Sequence, residues 1–276
     1  MKFNKLGFIG LGNVGSQLAK NLINEYSKLY IFDKDKNKYS KFKNYNIITC
    51  SSVKDLVLNT SIIITCLPSP KVIQEVTRLM LPYITKNHLW IEMSTTDKEE
   101  MVRLSKLFFK KNANVLEAPI TGGEHRAKSG NISIFVAGNK KIFKKTFPIF
   151  SRMGHQILYC GKIGNATILK VITNYLASLH LLGIGEALAV SKKYGIDLGL
   201  TYNAIKISSG NSFVNETETK VILSGSYDVG FTMDLAKKDV NLFNQLSKKY
   251  NIPIDLGKIV NKKFTQGISK LGSRSF

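Results

Sequence analysis

The sequence predicts two domains of different class: a doubly wound α/β domain over residues 1–161, then an all-helical domain over residues 162–276, joined through one long helix. Three observations predict this. Strand and helix signals alternate through the first half, as they do where a parallel sheet is covered on both faces. From Gly161-Lys162-Ile163-Gly164 onward helical periodicity continues while strand signals all but vanish. The first strand also runs straight into a glycine-rich turn.

Lys5-Leu6-Gly7-Phe8-Ile9 reads as that strand, and Asn13 to about Asn24 as the helix after the turn. Lys28-Leu29-Tyr30-Ile31-Phe32 is the second strand, ending at Asp33. Asn46–Thr49 follows as a short strand, then Ser51–Asn59 as a helix opened by a serine cap. Ser61–Leu67 is a continuous apolar run that stops at Pro68, as expected of a strand buried on both sides. Pro70 begins a helix running to about Met80, and Leu89–Met93 is the next strand. Asp97–Lys110 is a charged amphipathic helix, followed by strand Asn114–Ala118. Ile132–Ala137, a helix over Lys140–Met153 and strand Gln156–Cys160 complete the first half. Ala166–Tyr194 then reads as one long helix, apolar at Leu169, Ile172, Leu176, Leu179, Gly183, Ala187 and Val190. Three or four further helices follow, with breaks near Gly195, Gly210, Gly225 and Pro253.

Gly10, Gly12 and Gly15 have the G-x-G-x-x-G spacing of a dinucleotide-binding turn. Gly10 lets the chain turn sharply, Gly12 has no side chain to block a pyrophosphate, and Gly15 lets the helix pack against the sheet. Leu11, Asn13 and Val14 complete the turn, and the helix beyond it points free N–H groups at the phosphates. Asp33 stands at about the ~20-residue offset where an acid binds the adenosine ribose hydroxyls. Strand, turn, helix, strand and acid in order outweigh the alternative of glycines that serve packing alone. A site is expected at the carboxyl ends of the strands, roofed by the second domain.

The net charge is +21, which can attract nucleic acid or anionic membranes. Its distribution argues against both. Only five of the basic residues are arginines, Arg78, Arg103, Arg126, Arg152 and Arg274, although arginine is the favoured reader of phosphates and base edges. The lysines are scattered over nearly every predicted helix face, often beside Asn, Ile and Tyr, and form no basic stripe interleaved with aromatics, so neither a nucleic acid nor a membrane is expected as partner. No run approaches the ~18–20 uninterrupted apolar residues of a membrane span. The chain opens directly into its first strand, so no signal peptide is expected. Cys50, Cys66 and Cys160 are few and widely spaced, as suits reduced thiols in a cytoplasm. His88, His125 and His155 share no ligand spacing with them, so no metal site is expected.

Four further places carry candidate chemistry. Thr121-Gly122-Gly123, in a loop ended by Gly130, offers a hydroxyl and backbone N–H groups to a carboxylate. Lys170 stands among Leu169, Val171 and Ile172, with Asn174 one turn later. Burial there disfavours the ammonium and lowers its pKa, which makes a lysine a general base near neutral pH. Leu67-Pro68 and Ser94-Thr95 fall at the ends of neighbouring strands, on the cofactor side. Lys238-Asp239 follows Phe231 and Leu235 on a helix and can bring a cation to the cofactor's edge.

Together these segments resemble the β-hydroxyacid dehydrogenase family over nearly the whole chain. The opening G-F-I-G-L-G-N-x-G falls on Gly7–Gly15, the L-P pair on Leu67-Pro68 and the S-[ST] pair on Ser94-Thr95. The substrate signature [DE]-A-P-[VI]-[ST]-G-G-x-x-x-A-x-x-G falls on Glu117–Gly130. The catalytic signature G-x-x-G-x-x-x-x-x-K-x-x-x-N falls on Gly161–Asn174, and F-x-x-x-L-x-x-K-D on Phe231–Asp239.

The resemblance implies a Rossmann domain followed by helices that build dimers or tetramers. It implies hydride transfer between a nicotinamide and a small 3-hydroxy carboxylate or its semialdehyde, of the 3-hydroxyisobutyrate or tartronate semialdehyde type. Lys170 would be the general acid/base, Thr121, Gly122, Gly123 and Asn174 would hold the substrate, and Lys238 would close over the cofactor. Thr95 would join Leu67 and Pro68 at the cofactor. Asp33 favours NAD, because its carboxylate would repel the 2′-phosphate of NADP, although neighbouring Lys34 leaves NADP open. Thr121 stands for the commoner serine, Arg126 follows the Gly122-Gly123 pair in an E-x-basic-A pattern, and Ala166 stands where many members have glycine. Two alternatives are a catalytically inactive dinucleotide-binding sensor or scaffold and a basic nucleic-acid binder. Retention of Thr121, Lys170, Asn174 and Lys238 together disfavours the first.

Overall fold

The computed structural model describes residues 5–23, 29–227 and 230–272. The predicted helix end at Asn24 and strand start at Lys28, like Arg274, lie outside them. The chain forms two compact units, residues 1–170 and residues 171–276. The division falls within the long helix.

The first unit alternates strand and helix. It begins with β1 (Leu6–Ile9), α1 (Asn13–Asn21), β2 (Leu29–Phe32), β3 (Ile47–Thr49), α2 (Val53–Asn59), β4 (Ile62–Thr65) and α3 (Pro70–Met80). It continues through β5 (Leu89–Glu92), α4 (Lys98–Phe109), β6 (Asn114–Glu117), β7 (Ile120–Thr121), α5 (Gly123–Lys128), β8 (Ile132–Gly138), α6 (Lys140–Met153) and β9 (Gly154–Tyr159). Local chemistry sets most helix starts. Ser52, Ser69, Asp97 and Asn139 each accept a first-turn backbone N–H, capping α2, α3, α4 and α6. Helices α1 and α5 begin instead on glycines, Gly12 and Gly122, with no side-chain cap.

Among the described residues the sheet runs β3-β2-β1-β4-β5-β6-β8-β7, with β9 against β8. From β3 to β6 all pairs are parallel. The expected parallel sheet is thus present, with one antiparallel addition: β8 lies antiparallel to both β6 and β7. Strands β6 and β7 form one run along β8, interrupted at Ala118-Pro119, and the Pro119 carbonyl still accepts the Phe135 N–H at 3.0 Å. The stretch after Thr121 was expected to be a loop. Its Gly123–Lys128 portion is instead the short helix α5, which packs on α1.

Side-chain alternation divides the core between the sheet faces. Leu6, Phe8, Ile62, Ile64, Leu89 and Ile91 join one apolar cluster with α1 and α6. Ile9, Ile63 and Trp90 join the other with α2, α3 and α4. Trp90 stacks on Phe108 there, with ring centroids 4.6 Å apart. Strand order reverses at β1, whose neighbours are β2 and β4, and the carboxyl ends of strands at such a switch point are where open α/β sheets bind ligands.

Helix α7 (Asn165–Lys193) continues into the second unit, which also holds α8 (Leu198–Lys206), α9 (Phe213–Leu223), α10 (Met233–Lys249) and α11 (Asp255–Leu271). Tyr175, Ala236, Val240, Val260 and Phe264 form its main core, with Tyr175 and Phe243 stacked at 3.9 Å. Ile184, Leu188 and Val214 form a second. The buried side of α7 is not the predicted one. Leu169, Leu176 and Val190 are 38%, 41% and 58% exposed, while Val171, Tyr175, Ile184 and Leu188 are buried. The helix is apolar nearly all round, so periodicity cannot choose a face. By length and composition α7 is also apolar enough to cross a bilayer, with a window of mean hydropathy 1.4 that is only 22% buried. A single helix of this kind is weak evidence of a span, since soluble helices pass the same test.

Candidate active site

The glycine turn sits at the point of strand reversal, and each glycine has its own constraint. Gly10 has φ +98°, and a Cβ there would lie 2.2 Å from the Cys66 carbonyl oxygen at the end of β4. A Cβ on Gly15 would lie 2.2 Å from the Gly10 oxygen. Both permit close backbone approach. Gly12 differs: a Cβ there would meet nothing within 4 Å. Gly12 and Asn13 are exposed, Leu11 and Gly15 buried, and Val14 half-buried.

Asp33, just past β2, is tied to this turn. Its Oδ2 accepts the Leu11 N–H at 2.7 Å, and its Oδ1 accepts the Asp35 N–H at 2.9 Å. The Tyr39 hydroxyl, whose pKa burial raises, donates to the Asp33 carbonyl at 3.1 Å.

The ends of β4 and β5 are joined by a buried polar chain. The Leu67 N–H donates to Ser94 Oγ at 2.7 Å, which brings two predicted cofactor segments together. Glu92, fully buried on β5, accepts the Ser94 N–H at 2.6 Å and the Thr65 hydroxyl at 2.5 Å. Trp90 Nε1 donates to the same Thr65 hydroxyl oxygen at 2.8 Å. Burial pushes the Glu92 carboxyl up to about 7, although hydrogen bonds from Ser94 and Thr65 hold it down in part. Burial, helped by the Glu92 charge, pushes the Cys66 thiol up to about 12. Thr95 is half-buried and Pro68 exposed.

The predicted substrate segment lies beside the cofactor helix. Asn21 Nδ2, on α1, donates to the Ala127 carbonyl of α5 at 2.7 Å, and Gln17 reaches Glu124 at 3.4 Å. Thr121 pairs with Ser133 at the edge of the sheet, and Gly122 and Gly123 have φ +124° and +73°. The stem of Arg126 lies over Gly122, where a Cβ would come within 2.8 Å of Arg126 Cδ.

Lys170 is one turn into α7 and only 6% exposed. The turn beneath it is held by Glu117, at the end of β6. Glu117 Oε1 accepts the Gly164 N–H at 2.7 Å and the Ala166 N–H at 2.9 Å, while Oε2 accepts the Thr167 hydroxyl at 2.7 Å. Burial raises the Glu117 pKa, against the opposing pull of these donors. In the second unit, Asn174 Nδ2 donates to Asp239 Oδ2 at 2.5 Å, and Lys238 Nζ lies 3.1 Å from Asp239 Oδ1. Asp239 is buried.

Residues 5–161 match the family model described as the NAD binding domain of 6-phosphogluconate dehydrogenase. Residues 164–275 match the one described as NAD-binding of NADP-dependent 3-hydroxyisobutyrate dehydrogenase. The chain is 31% identical over 275 residues to mitochondrial 3-hydroxyisobutyrate dehydrogenase of Rattus norvegicus, covering 96% of this chain and 82% of that protein. The chain belongs to the β-hydroxyacid dehydrogenase family. It is also 28% identical to 2-(hydroxymethyl)glutarate dehydrogenase of Eubacterium barkeri, over 95% of this chain and 89% of that one. Among solved structures, 3-hydroxyisobutyrate dehydrogenase of Mycobacterium tuberculosis with L-serine superposes with TM-score 0.90 at 21% identity, covering 99% and 96% of the two chains. Psf3 in complex with NADP+ and 2-OPP does so with TM-score 0.90 at 20% identity.

The chain is thus an NAD(P)-dependent dehydrogenase acting on a CH–OH group. Its first unit suits the dinucleotide: the open space over Gly12 and the absence of a side-chain cap on α1 leave room and donors for phosphates. Among the described residues no group of three or more His, Cys, Asp or Glu side chains gathers as a metal site. Sequence reasoning assigned no role to Glu92 or Glu117. Both are acids at the carboxyl end of an apolar strand, where a lone charge needs partners, and Glu117 also opens the substrate signature.

Proposed function

We propose that this dehydrogenase interconverts a small 3-hydroxy carboxylate and its semialdehyde, with Lys170 as general acid/base. The observation that carries this reading is a buried lysine on the first turns of α7, at the position of the family's catalytic signature. In oxidation the amine takes the hydroxyl proton; in reduction it returns a proton to the aldehyde oxygen. The bound nicotinamide supplies the hydride acceptor or donor. Thr121, Gly122 and Gly123 bind the substrate carboxylate, and the motif assigns Asn174 to the substrate and Lys238 to the cofactor. Gly10, Leu11, Gly12, Asn13, Val14 and Gly15 hold the pyrophosphate, with Leu67, Pro68 and Thr95 lining the cofactor site. Asp33 takes the ribose hydroxyls and gives NAD its preference.

The substrate class rests on two relatives' names. 3-Hydroxyisobutyrate and 2-(hydroxymethyl)glutarate are both 3-hydroxypropionates that differ in the group on C2. Glycerate, the reduced partner of tartronate semialdehyde, is the same skeleton with a C2 hydroxyl. A panel of these acids with NAD, and of their semialdehydes with NADH, tests the reading. Turnover of at least one pair supports it; binding of NADH with no turnover across the panel favours a dinucleotide sensor instead. We place the protein in the cytoplasm as a homodimer or homotetramer. The exposed Leu176 and Val190 of α7 and Leu200 of α8 support a self-associating apolar surface.

A further inference from the structure

We propose that Glu117 is a positioning residue for Lys170, fixing the height and rotation of the first turn of α7 from the neighbouring sheet. This rests on the assignment of Lys170 as general acid/base. A helix N-terminus is normally capped by a nearby Ser, Thr, Asp or Asn. Gly164, immediately before α7, has no side chain and sits at φ +99°. The cap comes instead from a strand 47 residues earlier.

The geometry of that cap is specific. One carboxylate oxygen spans the N–H groups of Gly164 and Ala166, and the other takes the Thr167 hydroxyl. Ala166 and Thr167 precede Lys170 by four and three residues, so they lie beneath it on the same helix face. Three anchors on one rigid group leave that turn little freedom to slide or rotate. The same carboxylate belongs to the β6–β7 run, and the substrate residue Thr121 follows it within that run. Glu117 therefore sets the lysine helix against the strand that leads to the substrate segment, within a single compact unit.

A local serine cap would satisfy the same backbone donors without burying a carboxylate. What a distant carboxylate adds is registry between two elements. Displacing a catalytic group by ~1 Å can reduce turnover about 100-fold while leaving binding intact.

The test measures kcat, KM and NADH dissociation constant for wild type, Glu117→Ala, Glu117→Gln, Thr167→Val and Lys170→Ala. Methylmalonate semialdehyde or tartronate semialdehyde serves as substrate, whichever turns over faster. Amide hydrogen exchange is followed over residues 164–170. In Glu117→Ala, kcat should fall about 100-fold with NADH affinity within about threefold, and exchange over those residues should quicken. Glu117→Gln, which keeps an acceptor for the two N–H groups, should recover most of the loss. Thr167→Val should lose about three- to tenfold in kcat, and it keeps the proposal testable if Glu117→Ala does not fold. Wild-type kcat in Glu117→Ala, or a parallel loss of NADH binding, overturns the proposal while a dead Lys170→Ala leaves the lysine assignment standing. Wild-type turnover in Lys170→Ala overturns both.

Discussion

Asp33 and Leu11 are joined across 22 residues by a 2.7 Å hydrogen bond, from the Leu11 backbone N–H to the Asp33 carboxylate. The acid that the sequence offers to a ribose also braces the glycine turn. Asp33→Asn keeps an acceptor but removes the charge that repels a 2′-phosphate. It should therefore fold normally and bring the NADH and NADPH dissociation constants closer together, chiefly by strengthening NADPH binding. Asp33→Ala should also weaken NADH and cost about 1 kcal/mol of stability through the unpaired Leu11 N–H. Fluorescence titration with both cofactors and urea unfolding check this. An unchanged cofactor ratio in Asp33→Asn would remove the charge argument.

The three glycines of the turn should separate cleanly under alanine substitution. Gly10→Ala and Gly15→Ala place a methyl 2.2 Å from backbone oxygens, which forces the turn apart. Both should be strongly destabilised, by roughly 2–4 kcal/mol, or fail to fold. Gly12→Ala meets nothing and should melt within about 1 °C of wild type, yet lose at least about tenfold in NADH affinity because the methyl occupies the phosphate approach. Equal NADH affinity in Gly12→Ala and wild type would show that the pyrophosphate does not cross there.

Glu92 predicts a pH signature in stability. Its carboxyl rises from about 4.5 unfolded to about 7 folded, mainly through burial. Below the lower value both states hold the proton and the group contributes no slope. Between the two, the folded state keeps a proton that the unfolded state releases, so stability falls as pH rises. Above the upper value the penalty is complete, on the order of 3 kcal/mol. Glu92→Gln removes the titration, so its stability relative to wild type should improve steadily from pH 5 to pH 8. Urea unfolding of both proteins across that range measures the difference. A flat difference would mean that Glu92 is already ionised in the folded protein at pH 5.

Features that depend on neighbours in sequence were legible, and those set by distant partners were not. The serine-capped helix read over Ser51–Asn59 stood out because its cap, Ser52, and the N–H that it satisfies lie within three residues; the helices after Pro70, Asp97 and Lys140 were equally plain from local signals. The glycine turn was legible for the same reason. Strand β7 has two residues and exists through its pairing with β8, so no propensity announces it. The antiparallel run of β8 likewise shows only in its pairing with β6 and β7. Helix α7 is apolar on nearly every side, and the choice between Leu176 outward and Tyr175 inward is made by α10 and α11. Glu92, Glu117 and Asp239 bond Thr65, Thr167 and Asn174, partners 27 to 65 residues away that a linear reading has no means to pair.

Lys170→Ala bears most directly on the chemistry. The amine is placed on the substrate side of the reaction, so its loss should abolish turnover, by about 10³-fold or more, while NADH affinity stays within about twofold. Because Lys170 is buried, thermal melting of the variant accompanies the kinetics, so that a folding defect is separated from a loss of chemistry. Lys170→Arg keeps the charge but holds it at a pKa too high to exchange a proton near neutral pH, so it should be nearly as inactive. Single-turnover hydride transfer, followed by nicotinamide absorbance, separates the chemical step from cofactor release. If Lys170→Arg transfers hydride at the wild-type rate, a positive charge suffices there and proton transfer must be assigned to another group.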